Sequence, residues 1–160
     1  MTTSADVIDR LAGIEPGSPV AALRARRPDF VRYTEGSHDV LLAPADPAGI
    51  SLAERALIAL RVATLERSVA LADHYRTRLR QVAGGDQNAT VETPRLKALL
   101  DHVERMTTAP RTATKAHLDA LGAEGFSPRD LVTVAQLVAF VSYQVRVVAG
   151  LRLLSGEGRV

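Results

Sequence analysis

The densest group of polar side chains in an apolar setting is Glu66-Arg67-Ser68 followed by Asp73-His74-Tyr75. His74 is the member best suited to move a proton, because an imidazole titrates near neutrality and serves as general acid or base. Glu66 and Asp73 are close enough in sequence to orient that ring. Arg67, and Arg61 shortly before it, carry fixed cations that suit a substrate carboxylate. Tyr143, with Gln144 and Arg146, interrupts a strongly apolar stretch, where burial forces polar groups to find partners; it is a candidate pocket-lining or interface residue. Each has a plainer alternative: a His74 bonded to a backbone carbonyl, a solvated Glu66 and Asp73, a surface Arg67. His38, His102 and His117 are scattered, and no two histidines stand at i and i+4, so neither a metal site nor a cofactor is expected.

Composition removes several classes of chemistry. Among 160 residues there is no cysteine, which excludes disulfides, thiolate metal sites and thiol catalysis. Twenty basic and 18 acidic residues leave a net charge of +2, too small for a strong field toward nucleic acid or an anionic membrane. Arg76 and Arg80 share a helical face while Arg78 points elsewhere, and no aromatics interleave, so no nucleic-acid surface is expected. The opening Met1-Thr2-Thr3 lacks a signal-peptide pattern, and no run of about 18 uninterrupted apolar residues predicts a membrane span. A cytoplasmic protein is expected.

Helices must position these residues. The chain reads as one domain, 1–160, with an Ala- and Leu-rich palette that favours helix. Ser4 would cap a short helix ending at Gly13. Ser18-Pro19 opens a second, and a third runs from Asp29 to Leu42. Residues 43–49, with two prolines and a glycine, form a loop. Ser51 and Glu54 make a capping box, and the helix it opens breaks near Glu66-Arg67. Ser68 restarts a helix that Gly84-Gly85 ends, before a polar loop at Asp86–Thr90. Thr93-Pro94 opens a helix through Met106, and Thr112 or Thr114 a short one stopped by Gly122 and Gly125. Ser127-Pro128-Arg129-Asp130 is the cleanest start, and its helix runs to Leu154. No segment shows strand alternation. The expectation is an all-α fold of seven or eight helices. The last helix is apolar on nearly all faces, so it should be buried on all sides, partly against a second subunit.

The stretch Leu57-Ile-Ala-Leu-Arg-Val-Ala63, followed by Ala72-Asp73-His74, resembles the signature region of the AhpD-like (alkyl hydroperoxidase and carboxymuconolactone decarboxylase) superfamily, at about residues 51–83. The segment with Gln136-Leu-Val-Ala-Phe140 and Arg146-Val-Val-Ala-Gly150 resembles its C-terminal helix, at about 128–154. Redox members carry Cys-x-x-Cys-x-x-x-His, with an upstream Glu that relays protons. Here the two cysteine positions hold Arg67 and Ala70, the acid position falls on Arg55 or Ala56, and His74 alone matches. The resemblance implies an AhpD-like helical fold and a trimer or hexamer of identical chains. It also implies one of two roles without thiol peroxidase activity. One is acid–base chemistry of the carboxymuconolactone decarboxylase kind on a small carboxylated or lactone substrate. There His74 would move the proton and Arg67 or Arg61 would hold the carboxylate. The alternative is a non-catalytic assembly subunit, or the partner of a cysteine-bearing relative.

Overall fold

A computed structural model describes residues 6–84 and 93–156. Eight α-helices follow one another: α1 (Val7–Ala12), α2 (Pro19–Ala25), α3 (Pro28–Leu42), α4 (Leu52–Leu65), α5 (Val69–Ala83), α6 (Pro94–Thr108), α7 (Lys115–Ala123) and α8 (Pro128–Leu154). A 3-10 turn at Pro110–Thr112 precedes α7, and the described residues include no strand. Ser4, Gly85 and the expected loop at Asp86–Thr90 lie outside the described residues.

The starts follow from local chemistry. Ser18, Thr93 and Ser127 each accept a hydrogen bond from a first-turn N–H, and proline occupies the position where no N–H is needed. Ser51 and Glu54 form both halves of the capping box. The side chain of Asp6 caps α1, and Gly13 closes it in the left-handed conformation. α7 runs through Gly122, where the sequence had suggested a stop. A glycine inside a helix costs only about 1 kcal/mol. The true stop is Gly125, whose φ of 89° reverses the chain while Phe126 N–H bonds back to the Leu121 carbonyl.

α4 lies at the centre of the molecule and packs against α5, α6 and α8. Ile58, Ala59, Val62 and Ala63 of α4 meet Leu71 and Tyr75 of α5, Leu99 and Val103 of α6, and Val134, Leu137 and Val141 of α8, all fully or almost fully buried. By length and composition α8 passes for a membrane-crossing helix, with a mean hydropathy of 1.6 over its most apolar stretch. It nevertheless packs against α1, α3, α4 and α6 and buries Asp130 and Gln144. Nor is it buried on every side. Val132, Gln136, Ala139, Tyr143, Arg146, Gly150 and Leu153 form an exposed stripe, because helices cover only part of the circumference of α8 within one chain.

Two side chains fix the loop before α4. The Arg55 guanidinium donates to the carbonyls of Ile50 at 2.9 Å, Leu41 at 2.8 Å and Pro47 at 2.9 Å. The Asp130 carboxylate accepts from Gly49 N–H at 3.0 Å as well as from Ser127 N–H and Oγ. A Cβ at Gly49 would lie 2.7 Å from the Asp130 carboxyl carbon, so only glycine fits there.

Candidate functional site

The α4–α5 junction is a tight reversal. Glu66 ends α4, and Arg67 adopts a left-handed φ of 59°. Ser68 N–H bonds back to the Ala63 carbonyl at 2.9 Å, which satisfies one of the last free acceptors of α4. From there the helical repeat divides α5 into faces. Val69, Ala72, Asp73 and Arg76 line a cleft of about 270 Å3 together with Arg67. Leu71, His74, Tyr75 and Arg78 turn the other way. Asp73 and His74, neighbours in sequence, therefore serve different environments.

The His74 ring lies beside His38 of α3, with centroids 6.1 Å apart, and meets the edge of Tyr75 at 4.9 Å. The Nε2 atoms of His74 and His38 are both buried without a hydrogen-bond partner. Tyr75 O–H donates to Gln144 Oε1 of α8, and both residues are completely buried. The Gln144 amide nitrogen has no partner. Arg78, one turn beyond His74, donates to the Leu42 carbonyl at 2.9 Å, yet its Nε is also unpartnered. Burial, reinforced by the nearby Arg10, His38 and Arg78, pushes the His74 pKa down to about 4. The ring is neutral at pH 7. Burial likewise holds the Tyr75 phenol protonated well above its usual range.

The other sequence candidates are engaged elsewhere. Glu66 accepts from the Ser142 hydroxyl of α8. Asp73 is exposed and pairs with Arg76. Arg61 pairs with Glu104 of α6. Arg67 is exposed at the 270 Å3 cleft, on the side of α5 away from His74. Tyr143 O–H lies 3.2 Å from Thr34 Oγ1, and its ring stacks on Phe140. Glu54 serves the capping box and pairs with Arg95. The acid position of the redox motif, at Arg55 or Ala56, is fully buried, and Arg55 is saturated by carbonyls. The structure thus groups His74 with His38, Tyr75, Arg78 and Gln144 rather than with Glu66, Asp73, Arg67, Arg61 or Tyr143. His38 was recoverable from sequence: Thr34, His38 and Leu42 recur every fourth residue and form the buried stripe of α3. Among the described residues, no group of three or more His, Cys, Asp or Glu is arranged to hold a metal ion.

A second feature lies on the outside. Tyr33, Gly36, Ser37 and Val40 of α3 and Gln136, Ala139 and Phe140 of α8 line an open groove of about 760 Å3. Phe30 and Tyr143 extend it through an adjoining hollow of about 420 Å3. Phe30, Tyr33 and Val40 are each more than half exposed.

An all-helical domain with this α4–α5 junction and a long closing helix has the AhpD-like fold, here without any cysteine. One solved structure that shares it is the alkylhydroperoxidase AhpD core of an uncharacterized peroxidase-related protein from Ralstonia eutropha JMP134. It is 25% identical with a TM-score of 0.67, over 87% of this chain and 76% of that one. Another is an uncharacterized peroxidase-related protein from Silicibacter sp. TM1040, 19% identical with a TM-score of 0.68, over 88% of this chain and 74% of that one. No protein-family model matches the chain, and no curated protein does.

Proposed function

We propose that this chain is a non-catalytic AhpD-fold subunit whose role is assembly, and that it associates with a second copy of itself through the face formed by α3 and α8. The observation that carries this reading is the exposed stripe of α8. Its members alternate four and three residues apart, from Val132 through Gln136, Ala139, Tyr143, Arg146 and Gly150 to Leu153. That spacing is the seam by which helices pack on helices, and the small Ala139 and Gly150 allow close approach. Charge supports self-pairing. Asp39 stands exposed on α3 and Arg146 on the exposed stripe of α8, so a twofold arrangement can bring opposite signs together. Glu66, Arg61 and Asp73 fit the same reading, since each is engaged in a local structural contact. Light scattering at micromolar concentration should give a multiple of 17.1 kDa. Ala139→Glu, at an exposed position, should shift the species to monomer without loss of helicity. A wild-type protein that is monomeric and stably folded would overturn the reading.

A second reading is favoured by the two buried, unpartnered imidazole nitrogens: acid–base chemistry at His74 on a small carboxylated or lactone substrate. His74→Gln would then lower turnover about 10²–10⁴-fold with little change in stability. A screen of small lactones in which wild type and variant behave alike would remove it.

A further inference from the structure

We propose that the second copy docks with its α8 antiparallel to α8 and in one register, which sets Ala139 against the partner's Tyr143, Gln136 against the partner's Arg146 and Val132 against the partner's Gly150. The inference rests on the assembly reading and adds to it which residues meet. Across a twofold axis each of these pairs occurs twice, so together they engage the whole exposed stripe except Leu153.

The stripe residues recur four and three apart, and antiparallel helices with that spacing interlock in registers a heptad apart. In the proposed register a large side chain meets a small one: Tyr143 covers Ala139, and Val132 covers Gly150. The Gln136 carbonyl can accept from the Arg146 guanidinium. Sliding the partner one heptad in one direction brings Arg129, exposed one turn before Val132, against the partner's Arg146, and like charges then face each other twice. Sliding it in the other direction stacks Ala139 on the partner's Gly150 and leaves a gap. It also sets Gln136 against the partner's Leu153, which offers its amide no polar group.

α3 points to the same register. It runs antiparallel to α8: Thr34 meets Tyr143, while farther along Val40 lines the groove with Gln136. Asp39, exposed beside Val40, is therefore level with Gln136, where this register delivers the partner's Arg146. The twofold axis passes between Ala139 and Tyr143, and the exposed residue of α3 at that level is Gly36. An axis lying in the interface sets α3 on its own copy there. Glycine is a poor helix former, and a Cβ at Gly36 would meet nothing within 4 Å in its own chain. Close approach of the partner's α3 supplies the reason for it.

The chain has no cysteine, so introduced thiols report the register directly. Positions 132 and 150 lie about 27 Å apart along α8, so a disulfide between them closes only between chains. Mild oxidation of Val132→Cys/Gly150→Cys should give a covalent dimer on a non-reducing gel. Val132→Cys/Tyr143→Cys and Ala139→Cys/Gly150→Cys probe the two displaced registers and should stay largely uncrosslinked. Gly36→Leu, whose side chain meets nothing in its own chain, should keep helicity and raise the dimer dissociation constant about tenfold or more through overpacking. A dimer that crosslinks through a displaced pair, or through none of the three, overturns the register and leaves assembly standing. A wild-type monomer overturns both. Should the cysteine variants fail to fold, Gly36→Leu decides, and unchanged association would overturn the register.

Discussion

At the start of α4 this chain buries a guanidinium. Arg55 is 4% exposed and is satisfied by three backbone carbonyls. Its work is to hold the loop before α4. Arg55→Met should keep much of the volume but leave three acceptors unpaired, at a cost of about 3 kcal/mol. Urea unfolding should show a lower midpoint with an unchanged slope. His74 has a different signature. Its pKa is 6.5 when unfolded and about 4 when folded, so between those values the unfolded chain takes a proton that the folded chain refuses. Stability should be complete above about pH 6.5, fall as the pH drops toward 4, and level off below it. The drop should amount to about 2 kcal/mol once solvent screening of this part-exposed ring is allowed for. Unfolding free energies measured against pH should lose that increment in His74→Gln. A profile identical in both proteins would mean that the ring is not held neutral. Sequence alone set Glu66, Arg67 and Asp73 beside His74, whereas in the structure the ring lies next to His38 and Tyr75. Glu66, Arg67 and Asp73 are near in sequence, but His38 comes from α3, and a turn of 100° per residue separates Asp73 from His74.

Helix starts were legible because their chemistry is local. Ser18-Pro19, Ser51 with Glu54, Thr93-Pro94 and Ser127-Pro128 each announce a cap within four residues. The stop at Gly125 was harder to read, since Gly122 has the same composition and only the observed φ distinguishes them. The all-round apolar character of α8 led to the expectation of more apolar surface than one chain covers, but which residues form the exposed stripe was not legible. Valine, alanine and leucine look alike in a sequence whether another helix covers them or not. The Ser127 cap deserves its own measurement, because Asp130 completes a reciprocal pair there. Ser127→Ala should cost about 1 kcal/mol, read as a lower melting temperature.

For the molecule as a whole, the lack of sulfur nucleophiles outweighs the fold. Peroxide reduction by the thiol route needs one thiolate to attack and a second thiol to resolve. Arg67 and Ala70 supply neither. Metal-free protein with a dithiol donor and peroxide should consume no more peroxide than buffer, and enzyme-like turnover would contradict the assignment. A consequence of another kind follows from the bond between Gly49 N–H and Asp130, which joins residues 81 apart in the chain. The loop cannot release that hydrogen to solvent until the first turn of α8 withdraws. The deuterium uptake of this single amide should therefore report the parting of the loop before α4 from the first turn of α8.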